Sequence, residues 1–119
     1  MARFRLSRLA RADLAGILAR SGDQWGPEMR RRYAAMIATA LRQVASDPAG
    51  AATRDRSEIL DGIRRFHLRH ACVGDLGPRV KRPVHMIFYP AIRPGLVEIV
   101  RVLHERMEPS RHISESSET

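Results

Sequence analysis

Three short runs in the second half of the chain decide how it folds: Gly62-Ile63-Arg64-Arg65-Phe66, Met86-Ile87-Phe88-Tyr89 and Val97-Glu98-Ile99-Val100-Arg101-Val102-Leu103-His104. Each is rich in β-branched or aromatic residues and is flanked by Gly or Pro, which marks strands rather than helices. The expected strands are about Ile63–His70, Pro83–Tyr89 and Leu96–His104. Charged side chains interrupt them where a plain core strand has none, so the sheet is also a candidate working surface.

Working outward, two amphipathic stretches precede the strands. Arg3 to Leu6 alternates polar and apolar residues over the length of a short edge strand. Ser7 offers a hydroxyl N-cap. Beyond it Ala10, Leu14, Ile17 and Leu18 recur at three- and four-residue spacing, on one face of a helix that Ser21-Gly22 should stop. Gly26-Pro27-Glu28 opens a second helix, with proline where no hydrogen bond is lost and a carboxylate suited to the helix dipole. Met29, Tyr33, Met36, Ile37, Ala40, Leu41 and Val44 form its stripe, and Pro48 ends it. So short a connection predicts an antiparallel helical hairpin.

Residues 47–61 read as a polar loop and Val73–Arg82 as a long hairpin loop, while Pro90 and Pro94-Gly95 close a tight turn. The serine-rich tail, residues 114–119, is expected to be disordered. The fold class is therefore α+β: an N-terminal strand and a helical hairpin packed on a small, mainly antiparallel sheet, as one domain over residues 1–113.

At 119 residues the chain supports one modest core. Its net charge of +8 invites an acidic or nucleic-acid partner. Of 21 basic residues only Lys81 is lysine, a bias that GC-rich coding would also produce, so placement matters more than total charge. Cys72 stands alone, which excludes an internal disulfide and suggests a reducing, cytoplasmic setting. No stretch approaches the roughly 18 apolar residues of a membrane span. The histidines show no zinc-ligand spacing, and no metal or cofactor is expected.

Alternation splits each strand into two faces. One face of the first carries Ile63, Arg65, His67 and Arg69; the next strand places His85, Ile87 and Tyr89 together. If Arg65, His67 and Arg69 align with His85, Tyr89 and Arg101, the sheet has an open basic face. Such a face could clamp phosphates through arginine and move protons through imidazole or phenol, as RNA cleavage requires. Two readings stand side by side. Arg101 lies among Val, Ile and Leu, where arginine is more often a structural ion-pair partner, and His67 and His85 also suit ordinary strand positions.

The order strand, helical hairpin, sheet resembles the RelE/ParE toxin superfamily, closest to its ParE branch, over about residues 4–113. The resemblance rests on Leu6-Ser7, Ala12-Asp13-Leu14, Trp25-Gly26, Arg64-Arg65-Phe66, Ile87-Phe88-Tyr89 and the segment Glu98 to Met107 with its Arg101-x-Leu103-His104 core. It implies the toxin of a bacterial type II toxin–antitoxin module, neutralised by a ParD-like antitoxin and directed at DNA gyrase by protein–protein binding. Antitoxin contacts are then expected at Leu14, Ile17, Leu18, Tyr33 and Ile37, and target contacts at Arg101, His104, Arg106 and Met107. The alternative, a RelE-type ribosome-dependent mRNA endonuclease, would use Arg65, His67, Arg69, His85, Tyr89 and Arg101. The chain departs from the usual ParE pattern in the Val73–Arg82 loop and the tail.

Overall fold

The computed structural model describes residues 3–71, 82–90 and 95–113. The expected tail, most of the Val73–Arg82 loop and the Pro94 part of the turn lie outside them.

Strand β1 (Arg3–Leu6) leads directly into helix α1 (Arg8–Trp25). Ser7 joins them. Its Oγ accepts from the Ala10 N–H at 3.0 Å, satisfying an orphan donor of the first turn, and donates to Val100 O at 2.8 Å. The N-cap thus also fastens the helix to the far end of the chain.

Helix α1 does not stop at Ser21-Gly22. Gly26 N–H donates to Gly22 O at 2.9 Å, so the helical ladder runs on to Trp25. Gly22 instead allows close approach of the second helix: a Cβ there would meet Arg30 Cδ at 3.2 Å. Helix α2 (Pro27–Ser46) begins at once, and Gly26 alone turns the corner, with φ 92° and ψ 169°. That region is almost closed to residues with a Cβ. Gly26→Ala should therefore cost about 1–3 kcal/mol, although a Cβ there would meet nothing within 4 Å. Urea denaturation of the variant checks this; a cost near zero would mean that the corner has an alternative geometry.

Helix α2 buries Tyr33, Met36, Ile37, Ala40, Leu41, Val44 and Ala45, the expected stripe without Met29. Residues 47–61 are not all loop. Thr53–Asp55 form a short strand β2 paired antiparallel with β3 (Ile63–His67). Three polar residues carry no strand pattern of their own, and pairing with a neighbour makes them one. Strand β3 is shorter than expected because His67 Nδ1 accepts from the Arg69 N–H at 3.1 Å, drawing Leu68–His70 into a 3-10 turn.

Strand β4 (His85–Pro90) pairs antiparallel with β3 and with β6 (Arg101–His104), giving the order β2-β3-β4-β6. Strand β5 (Leu96–Ile99) pairs parallel with β1. The expected single strand Leu96–His104 is thus two, separated by Val100, whose N–H donates to Phe88 O at 2.9 Å.

That break changes the side-chain parity. Val97, Ile99 and Val102 join the main core beneath the helices, with Phe66, Ile87 and Tyr89. Val100 and Leu103 join a second buried cluster on the opposite face, with Ile63, Met86, Phe88 and Ile113. The expectation of one open basic face is corrected accordingly. Register sets Arg65 opposite Phe88 and His67 opposite Met86, so His85 and Tyr89 leave the sheet on the other face, and the middle of the arginine face is apolar and covered.

Candidate functional site

Asp13 falls on the buried stripe of α1, between Ala10 and Ile17, where a carboxylate needs a partner. It finds two. Arg101 forks onto it with Nε–Oδ2 and Nη2–Oδ1 both at 2.8 Å, and the Val102 N–H donates to Oδ2 at 3.0 Å. The carboxylate thereby takes a hydrogen bond at the edge of β6 that a further strand would otherwise accept. Arg101 Nη1 donates to His112 O at 3.0 Å, tying in the C-terminal segment. Hydrogen bonding to Asp13 raises the Arg101 pKa against the opposing effect of burial.

At the other end of β4 lies a cluster of imidazoles. Tyr33 Oη accepts from the Val84 N–H at 3.2 Å, which leaves its proton for His85 Nδ1 at 2.7 Å. The His85 ring meets His104 edge to face, with centroids 5.4 Å apart. His67 is buried, and its Nε2 lies 3.2 Å from Glu105 Oε1. Since Nδ1 already accepts from Arg69, Nε2 carries the proton and donates it to Glu105. That bond holds the Glu105 carboxyl below its usual range. Burial raises the pKa of the Tyr33 phenol.

Burial, followed by the field of His104, lowers His85 from 6.5 to about 4. Unfolded His85 therefore takes up a proton at higher pH than folded His85, and stability should fall as pH drops from 6.5 towards 4. The depressed Glu105 carboxyl acts in the same direction at the acid end of this range. Urea midpoints measured across this range should slope more steeply for the native chain than for His85→Gln. Equal slopes would show that His85 titrates as freely in the folded protein as in the unfolded chain.

The six endonuclease candidates are thus divided. Arg65 and His67 share the face of Phe88 and Met86, with Arg69 just beyond the end of β3, whereas His85 leaves β4 on the helix side, against Tyr33 and His104. Tyr89 is buried in the main core and donates to Pro48 O at 2.6 Å, and Arg101 is held in the Asp13 clamp. Among the antitoxin candidates, Ile17, Tyr33 and Ile37 are buried in the main core, so their side chains face inward. Leu14 and Leu18 are partly buried at its rim. Trp25, seven residues beyond Leu18 on the same helical stripe, is 66% exposed. Among the target candidates, Arg106 and Met107 are exposed in the turn after β6, and His104 behind them accepts from the Arg106 N–H at 3.0 Å.

Sequence reading missed Glu105 as the His67 partner and Ser7 as a link to Val100. The Asp13 clamp had a legible signal in a lone acidic residue on an apolar stripe. The other two had none, because strand register brings them together. Among the described residues no group of three or more His, Cys, Asp or Glu could hold a metal ion. Nor is any described helix long and apolar enough to cross a membrane.

A two-helix hairpin packed on a four-stranded antiparallel sheet and a parallel β1–β5 pair, with an Asp13–Arg101 ion pair closing the edge, defines an α+β domain. A solved chain of the chromosomal ParDE TA system from P. aeruginosa has this fold: TM-score 0.63 at 17% identity, covering 87% of this chain and 96% of that one. The family model for the ParE toxin of type II toxin–antitoxin system, parDE, matches residues 4–109, and the chain belongs to that family. Toxin ParE1 of Caulobacter vibrioides is 33% identical over 111 residues, 92% of this chain and 96% of that protein. Toxin ParE of Escherichia coli is 32% identical over 108 residues, 91% of this chain and 89% of its own.

Proposed function

We propose that this ParE toxin is neutralised by a ParD-like antitoxin and acts by binding DNA gyrase rather than by cutting RNA. Gyrase inhibition is what membership of the ParE branch implies. The observation that carries the binding reading is the engagement of Arg101 and Tyr89 within the fold. A phenol donating to Pro48 O and a guanidinium forked onto Asp13 are not free to act on a phosphodiester. The exposed turn holding Arg106 and Met107, with His104 behind it, supplies the target-facing surface. Arg101 acts there as a positioning residue. The stripe of Leu14, Leu18 and Trp25 along α1 supplies an apolar seat for an antitoxin helix, and the +8 charge favours an acidic one.

A second reading, the ribosome-dependent endonuclease, draws on the one grouping left together: Arg65 and Arg69 near the His67–Glu105 pair. Expression of the toxin alone, with plasmid supercoiling and mRNA integrity followed in parallel, separates the two. The binding reading expects relaxed or cleaved plasmid with intact mRNA. Cut mRNA with normal supercoiling would overturn it.

A further inference from the structure

Arg54 on β2 and Arg65 on β3 stand directly opposite one another, so their side chains leave the sheet on the same face. Like charges in that relation destabilise a sheet. Arg69, just beyond the end of β3, adds a third guanidinium whose field, with those of Arg56 and Arg54, lowers the Arg65 pKa below its ordinary value; burial contributes the largest share. Among the described residues none of Arg54, Arg65 and Arg69 has a carboxylate within ion-pair distance. Arg56 is already paired with Glu58 at 2.6 Å, and Glu105 is hydrogen-bonded to His67. Arg65 is held under poor terms as well. Among the described residues its Nε is buried without a hydrogen-bond partner, and Nη1 meets Met86 Sδ, a weak acceptor, at 3.3 Å. An anion that bridged the three would relieve their repulsion.

The surroundings select among anions. Among the described residues the exposed large apolar side chains are Trp25, Leu96 and Met107, and none belongs to β2 or β3. An acidic peptide would therefore find charge here without an anchor. Single-stranded nucleic acid binds through a succession of exposed rings on which bases stack, but Phe66 and His67 are buried. The one exposed ring described beside these arginines, His70, stands edge-on to Phe66 and accepts from Arg69 Nε at 3.3 Å. What remains is a set of rigid guanidinium forks suited to the phosphates of a duplex.

We propose that Arg54, Arg65 and Arg69 form a binding surface for the phosphodiester backbone of double-stranded DNA, independent of base sequence. This surface does not depend on gyrase being the target.

Fluorescence anisotropy of the full chain with a labelled short duplex tests it. Three neutralised phosphates at about 0.9 each predict a roughly 40-fold loss of affinity between about 50 and about 200 mM salt. R54Q/R65Q/R69Q should bind at least about tenfold more weakly, with most of that salt dependence gone. R8Q/R11Q/R42Q removes the same charge from exposed helix positions and should retain it. R54Q/R69Q leaves the half-buried Arg65 untouched and should lose about two-thirds of the slope, which keeps the test sound if the triple variant misfolds. Equal losses in the two triple variants would overturn the proposal by reducing it to net charge. So would absence of salt-dependent binding, tighter binding of single-stranded RNA, or displacement of the duplex by polyglutamate at equal charge.

Discussion

Asp13→Ala should lower the stability of the chain by about 3–5 kcal/mol, the usual cost of removing one member of a largely buried pair. The side chains of Arg101 and Asp13 are only 16% and 14% exposed, so solvent does little to replace the lost partner. The same change leaves the Val102 N–H without its acceptor at the edge of β6. Against a total stability of about 5–15 kcal/mol for a small domain, that loss leaves a substantial unfolded fraction. Asp13→Asn should fall between, since it keeps an oxygen for Val102 but loses the charge. The double variant D13A/R101M should regain much of the deficit, because the orphaned charge goes with its partner. Urea midpoints of the four proteins decide it. A loss within about 1 kcal/mol for Asp13→Ala would make the pair an ordinary surface contact.

Phe88→Ala should cost a comparable amount, about 3–5 kcal/mol. Phe88 is fully buried on the sheet face opposite the helices, among Ile63, Met86, Val100, Leu103 and Ile113. An aromatic ring on an open polar face would lose little on truncation, so the experiment distinguishes a second core from an exposed surface. A denaturant midpoint little changed from that of the native chain would show the face to be open after all.

The helical hairpin was legible because its signals are local. Ser7, Pro27 and the stripe from Tyr33 to Val44 each act through neighbours within a turn or two. The strands were legible as elements but not as faces. Their side-chain assignment depends on parity, and the interruption at Val100 arises from bonds to Phe88 and Ser7, both distant in sequence. Register sets Arg65, Phe88 and Arg101 in one row, so the expected basic set is broken by His85 and Tyr89 leaving on the other face and by the buried Phe88 between the two arginines. Strand β2 was invisible for a related reason, since Thr53-Arg54-Asp55 pairs only because Arg64-Arg65-Phe66 is there to receive it. The site residues divide along the same line. Exposure of Arg106 and Met107 followed from their place after a strand, whereas the burial of Ile17, Tyr33 and Ile37 depends on what lies beneath both helices.

The parallel pairing of β1 with β5, and the ties of Ser7 to Val100 and Asp13 to Arg101, join residues 3–13 to residues 96–101. The last of these spans 88 positions, which translation at roughly 5–20 residues per second covers in roughly 4–18 s. Throughout that interval α1 has α2 to pack on, but β1 lacks its partner strand and Asp13 its guanidinium. A nascent toxin is therefore an unfinished one until β5 and β6 have been made and can reach back to β1 and α1.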